Sequence, residues 1–241
     1  MDITAISDLH GFFPKDLPGG DLLIVAGDLT AKDHLTTSWI KFDKWLDKQP
    51  YKKKIVIAGN HDRLLQHNSY RLLYDDFLWR GVHYLCDSGV QVFYEDDEPL
   101  VPYKDGIQLP RRRPKSLKIW GSPWTKWFEG VNPKCTAFML KTEEELAEKW
   151  AMIPDDTDIL ITHSPPYGIL DKNVDGYHCG STSLYKRIKQ IRPKFHFFGH
   201  IHEGYYELGG AFVDGSLIQV FNCSHVNERY EPVNKPVRVK L

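Results

Sequence analysis

The chain has 241 residues, of which 41% are hydrophobic, and carries a formal net charge of −1. That balance gives no general attraction to nucleic acid or to anionic membranes, and no apolar run approaches the ~20 residues needed to span a bilayer. The length and apolar content are enough to bury one core, so a single domain over residues 1–241 is expected.

Residues 2–7 (DITAIS) and 21–26 (DLLIVA) are short apolar or β-branched runs that read as buried strands. No basic segment followed by an apolar stretch precedes them, so no secretory signal is expected. Asp21 follows Pro18-Gly19-Gly20 and reads as a turn residue. Trp39, Phe42, Trp45 and Leu46 recur at helical spacing, with Thr36-Thr37-Ser38 ahead of them to supply a cap. Residues 54–58 (KIVIA) are the next strand. Residues 96–116 (DDEPLVPYKDGIQLPRRRPKS) interrupt what would otherwise be a β-hairpin. Arg111, Arg112 and Arg113 there read as part of a solvated loop, with phosphate contact as the alternative.

Further on, residues 143–152 form a helix with acids in its first turn, favourable against the helix dipole. Residues 158–162 (DILIT) are a strand, and residues 171–183 are a candidate rim in which His178 reads as a surface residue. Residues 181–191 make a helix with Leu184, Ile188 and Ile191 on one face, closed by Pro193, and residues 194–198 (KFHFF) return to strand. After residue 202 the runs 205–208, 211–213 and 217–222 read as consecutive antiparallel strands, with 236–241 as a last one. Strands alternating with helices, then a β meander, fit an α/β fold: a two-sheet β sandwich flanked by helices. Cys86, Cys135, Cys179 and Cys223 are widely spaced, with no C-x-x-C pair, and are expected to be reduced and mostly buried in a cytoplasmic protein.

Each strand from the parallel-looking part ends at a metal-binding residue type: Asp8-Leu9-His10, Gly27-Asp28, Gly59-Asn60-His61-Asp62, Thr162-His163 and Gly199-His200-Ile201-His202. Ligands of open α/β sheets bind beyond the carboxyl ends of the strands, so residues far apart in sequence can meet at one edge. The glycines at 27, 59 and 199 are expected to permit backbone conformations closed to other residues. Carboxylate, amide oxygen and imidazole together suit divalent ions of the manganese, iron and zinc type. No Cys falls in the set, which argues against a thiolate zinc site. Two cations roughly 3.5–4 Å apart need a bridging ligand, and Asp28, with two oxygens, is the natural choice.

With those five motifs in that order, the chain resembles the calcineurin-like metallophosphoesterases from about residue 2 to about residue 225. Gly121-Ser122-Pro123-Trp124, Thr162-His163-Ser164-Pro165-Pro166 and Gly199-His200-Ile201-His202-Glu203-Gly204-Tyr205 look like the small metallophosphoesterase-domain-containing group within them. The resemblance implies the same αββα sandwich and two divalent ions, manganese or else iron or zinc. It implies that Asp8, His10 and His202 hold one ion, that Asn60, His163 and His200 hold the other, and that Asp28 bridges. His61, oriented by Asp62, would stand beside the scissile phosphate, with Asn60 and His61 contacting substrate. Some members of that group lose the last histidine of the G-H-x-H motif; this chain keeps His202.

Other candidates read as structural. His34, His67, His83, His196 and His225 are expected to be satisfied groups within the fold, and Trp124 and Trp127 to pack rather than stack on a base. Seven metal-binding groups clustered without cations would leave buried charge unpaired, so the motif residues are read as a site. Two cations lower the pKa of a bridging water, supply hydroxide near neutral pH and neutralise phosphate oxygens during in-line displacement. The expected activity is a phosphodiesterase acting on a nucleotide, cyclic nucleotide or short nucleic acid, with phosphomonoesterase as the alternative. A vestigial binding protein is disfavoured by the full ligand set. Asp28 is followed by Leu29-Thr30-Ala31-Lys32 and lacks the D-R-G arginine of the protein-phosphatase branch. A nucleotide-like phosphoester is the expected partner, with no membrane and no obligatory protein partner.

Overall fold

The apolar runs are strands buried on both faces, as continuous Ile, Leu and Val stretches in parallel sheets are. The structure is a computed structural model that describes every residue except 32–35, 68–80, 95–114, 129–134, 206–210 and 213–217. In one sheet β1 (Asp2–Ile6), β2 (Gly20–Ala26), β3 (Tyr51–Ile57) and β4 (Val82–Tyr84) run parallel, with β13 (Val237–Lys240) antiparallel outside β1. The second sheet has the order β11 (Ala211–Phe212), β12 (Gln219–Asn222), β10 (Phe195–Phe198), β9 (Ile159–Thr162), β6 (Lys115–Ser122) and β5 (Ser88–Tyr94). From β12 to β6 its strands are parallel; β11 and β5 are antiparallel edges. A short parallel pair, β7 (Thr125–Lys126) with β8 (Met139–Leu140), stands apart from both.

Alternation along each strand assigns its side chains to layers. Ile3, Ala5, Leu22, Ile24, Ile55 and Ile57 meet Leu117, Ile119, Ile159, Ile161, Phe197 and Phe221 between the sheets. The opposite face of the first sheet, with Leu23, Val25 and Val56, packs on Trp39, Phe42, Trp45 and Leu46 of α1 (Thr36–Asp47). The opposite face of the second sheet, with Leu160, Phe198 and Val220, packs on Leu146 and Trp150 of α3 (Glu143–Ala151) and on Leu184, Ile188 and Ile191 of α4 (Thr182–Ile191). The result is a helix–sheet–sheet–helix sandwich. A one-turn helix, α2 (Arg63–Gln66), follows the Gly59-Asn60-His61-Asp62 segment. Among the described residues, no helix is long and apolar enough to cross a membrane.

Several boundaries differ from expectation for local reasons. Thr36-Thr37-Ser38 lies inside α1 rather than ahead of it. Thr142 and Glu145 form a reciprocal capping box that starts α3, and Ser181 caps α4 through the Leu184 N–H. The C-terminal runs are not one meander: β12 is antiparallel to β11 but parallel to β10, β13 joins the other sheet, and residues 202–204 are a 3₁₀ turn. Residues 206–208, His34 and the Arg111–Arg113 segment lie outside the described residues. The interrupted hairpin is present, with β5 and β6 paired from Ser88↔Gly121 to Tyr94↔Lys115.

His196 and His225 are buried, but His67 and His83 are exposed rather than part of the core. His196 Nε2 lies 2.7 Å from Thr162 Oγ1, and His225 Nδ1 lies 3.0 Å from the Asn234 carbonyl. Asp21 sits within the start of β2, accepting the Asp2 N–H and pairing with Lys52. Trp124 packs its ring edge-on to Phe138 and donates Nε1–H to Asp87.

Phe197 is fully buried and stacks on Phe221 at 5.4 Å, in the centre of the inter-sheet layer. Phe197→Ala should cost about 3–5 kcal/mol, the usual loss for a fully buried ring. The denaturant midpoint should fall with the slope unchanged. A loss under about 1 kcal/mol would mean that the two sheets do not depend on this layer.

Candidate dinuclear metal centre

Turns at the strand ends build the site. Asp8, His10, Asp28 and His200 all have positive φ, at 51°, 43°, 53° and 71°. Asp and His enter this left-handed region more readily than most residues, at a cost in backbone energy. The turn after β1 is locked to the turn after β2, since the Asp8 N–H donates to the Gly27 carbonyl and the His10 N–H to the Asp28 carbonyl. Two glycines are needed for room rather than for an unusual φ. A side-chain carbon at Gly59 would overlap the Asp28 carboxylate, and one at Gly199 would overlap the Asp8 carboxylate and the Ser7 hydroxyl. Only Gly27 of the three strand-end glycines has a left-handed φ, at 101°.

Five strand ends thereby converge. Asp28 Oδ2 lies 3.3 Å from His163 Nε2, 3.7 Å from His10 Nε2 and 3.9 Å from His61 Nε2. Asp8 Oδ1 lies 3.5 Å from His202 Nε2, and His202 Nε2 is 3.3 Å from His10 Nε2. Asn60 Oδ1 is 3.1 Å from His163 Nε2, and the His200 ring centre is 5.1 Å from that of His163. Among the described residues, three groups offer ligand atoms within 4.8 Å of one another: Asp8, His10 and His202; His10, Asp28 and His61; and Asp8, Asp28 and His163. Asp8, His10, Asp28, Asn60 and His163 are all buried.

Other hydrogen bonds hold these side chains from behind. Asp8 accepts the His200 N–H and the Ser224 hydroxyl, the latter at 2.8 Å. His163 Nδ1 lies 2.9 Å from the Ala26 carbonyl, which directs Nε2 into the site. The His61 N–H donates to Asp28 Oδ1 at 2.9 Å.

The charges fit a cation site. Burial alone would raise both carboxyls, but His202 holds Asp8, and His163, His61 and His10 hold Asp28, well below the usual carboxylate range. Burial lowers His10 to about 4 and His200 to about 3. Burial also opposes the charged form of His163 and His202, yet Asp28 raises His163 to about 9 and Asp8 raises His202. The buried carboxylates favour positive charge beside them, the charge that metal ions would supply.

One expected role in the site differs. Asp62 does not serve His61: its buried carboxylate accepts the Gly59 N–H at 2.8 Å and the Leu29 N–H at 3.1 Å, clamping the turns after β3 and β2 together. Burial and the nearby Asp28 raise its carboxyl well above the usual range. The atom beside His61 Nδ1 is instead Cys135 Sγ, at 3.3 Å. Cys86, Cys135 and Cys179 are half-buried rather than buried, and all four cysteines are unpaired. Ser224, Tyr230 and Cys135 are the neighbours that the sequence did not single out. The Tyr230 ring packs edge-on to His10 and His202 at 4.9 and 5.1 Å.

Residues 1–204 match the family model described as calcineurin-like phosphoesterase. The chain is 37% identical to the human and mouse proteins named metallophosphoesterase domain-containing protein 1, over 99% of this chain and 70% of each relative. In fold it is similar to the crystal structure of TT1561 of Thermus thermophilus, with a TM-score of 0.53 at 15% identity over 99% of this chain and 97% of that one. The chain belongs to the calcineurin-like phosphoesterase family, a group of metal-binding hydrolases of phosphate esters. The family usually holds a pair of metal ions, and the buried oxygen and imidazole donors here suit them.

The clamp role of Asp62 is testable. Asp62→Ala would orphan two buried N–H groups, at about 1–3 kcal/mol each. The variant should therefore lose both stability and bound metal, read by denaturation and elemental analysis. A variant of normal stability and metal content, slow only in turnover, would return Asp62 to the role of orienting His61.

Proposed function

We propose that the chain is a dinuclear phosphodiesterase acting on a nucleotide-like diester. The observation that carries this reading is the wall of the cavity beside the metal-binding groups. The cavity holds about 370 Å³, and beyond Asp28, Asn60 and His61 it is lined by Phe128, Met139, Val174, Ile201 and Tyr230, with Glu203 and Glu228 among them. A phosphodiester carries one negative charge and an organic group on each side. Apolar walls suit those groups, and the two glutamates disfavour the second charge of a monoester.

In this reading Asp8, His10 and His202 would hold one divalent ion and Asn60, His163 and His200 the other, with Asp28 serving both. Its Oδ2 is within 3.9 Å of imidazole nitrogens from both sets, which supports the bridging role. Manganese, iron and zinc all match this oxygen and nitrogen donor set. When bound, such a pair supplies a strong nucleophile from water at neutral pH and neutralises phosphate oxygen charge. Asn60 and His61 line the cavity, where they contact the phosphate. His61, whose Nε2 faces Asp28, donates a proton to the departing alkoxide, and the remaining buried imidazoles keep the pair in register. The four unpaired thiols suit a reducing compartment, the cytoplasm.

The test is a comparison of a bis-aryl phosphodiester with the matching aryl monoester after loading with manganese, iron or zinc in turn. The diester should have the higher kcat/KM by about 10-fold or more, equivalent to about 1.4 kcal/mol of transition-state preference. A higher kcat/KM for the monoester with every metal would replace this reading with a phosphomonoesterase.

A further inference from the structure

The two ring nitrogens of His61 have different surroundings. Nε2 faces the site, 3.9 Å from Asp28 Oδ2, while Nδ1 faces Cys135 Sγ at 3.3 Å. Just after Cys135 the chain is anchored to the turn that carries His61. The Ala137 N–H donates to the Asn60 carbonyl at 3.2 Å, and Ala137 and Phe138 pack on Ala58 ahead of the same loop. Both Cys135 and His61 line the cavity.

A neutral imidazole carries its hydrogen on one nitrogen and a lone pair on the other, and the partner of one nitrogen sets the role of the other. A carboxylate at Nδ1 would accept its hydrogen and leave a lone pair on Nε2, which makes a base or a metal ligand. A thiol carries its own hydrogen and can donate it. We propose that Cys135 is the positioning residue of His61: its S–H donates to Nδ1, which leaves the ring hydrogen on Nε2, facing the phosphate. This deepens the phosphodiesterase reading above and rests on it.

Two consequences follow. His61 is set as a donor to the leaving group: as the Nε2 proton passes to the departing alkoxide, the Cys135 S–H proton passes to Nδ1, leaving a neutral imidazole and a thiolate that solvent reprotonates. Before that transfer Nε2 has no lone pair to give to a cation, although it lies within ligand distance of His10 and Asp28. The Asp62 carboxylate, committed to the Gly59 and Leu29 N–H groups, leaves the Nδ1 side to the thiol.

The test uses the metal-loaded full chain and two phosphodiesters, one with an alkyl and one with a nitrophenyl leaving group. Cys135→Ala should lower kcat/KM for the alkyl diester by about 10–100-fold, the usual range for losing a partner that orients a site group. The nitrophenyl diester, whose leaving group is a stable anion, should lose far less, with metal content retained. Cys135→Ser, which keeps a donor, should recover part of the alkyl rate. In a His61→Ala background, Cys135→Ala should cause no further loss on the alkyl diester. In the zinc-loaded protein, which is diamagnetic, nitrogen NMR should show the His61 hydrogen on Nε2, and Cys135→Ala should shift it toward Nδ1.

Equal loss on both substrates, the same loss in the His61→Ala background, or a hydrogen on Nδ1 in the unaltered protein would overturn the proposal. The phosphodiesterase reading fails separately, if the unaltered protein prefers monoesters. An alkyl and a nitrophenyl monoester then serve for the same comparison, and the NMR result stands either way.

Discussion

The Asp28 carboxylate, fully buried among imidazoles, is the constraint on which the rest of the structure depends. An ion of that kind costs several kcal/mol to remove from water, and only nearby positive charge or good hydrogen bonds offset it. Here His163, His10 and His61 surround one oxygen, and the His61 N–H occupies the other. The same reasoning applies to Asp8, which is met by His202, the His200 N–H and the Ser224 hydroxyl. A chain that builds two such buried anions and faces them with imidazoles has made a place for cations.

The fold follows from the need to bring these groups together. Parallel strands put their carboxyl ends at one edge, so β1, β2 and β3 deliver Asp8, Asp28 and Asn60 from one sheet, and β9 and β10 deliver His163 and His200 from the other. The two sheets are stitched at this edge, where the Ser7 N–H donates to the Cys223 carbonyl and the His225 N–H donates to the Ser7 carbonyl. The layer of Ile, Leu and Phe side chains between the sheets fixes their separation, which sets the distance between Asp28 and His163. Packing far from the site therefore controls geometry within it.

Much of this was legible in the sequence. Strands buried on both faces leave continuous apolar runs, and the polar residue that ends each run stands out against them. The helix at residues 143–151 was readable from the acids in its first turn, and that at 182–191 from its apolar face and the proline beyond it. What was not legible depended on pairing. Residues 217–222 read as the end of a meander, whereas β12 lies parallel to β10, so its carboxyl end reaches the site and brings Ser224 and, further on, Tyr230. Cys135 sits in no periodic segment and touches His61 only through the loop that follows β3. Asp62 follows His61 directly, yet its carboxylate turns to the Gly59 and Leu29 N–H groups, a choice made by backbone geometry rather than by residue type.

The cavity composition carries the reading from a family of phosphate-ester hydrolases toward diesters, but every step of it rests on Asp28 serving two cations at once. The most direct measurement is the metal content of purified Asp28→Asn set beside His10→Ala and His163→Ala, by elemental analysis at equal protein concentration. One charge shared by two cations predicts that Asp28→Asn loses both ions, while each histidine variant mainly loses one. Loss of a single ion, to the same extent, in all three variants would contradict the shared carboxylate and the dinuclear account with it.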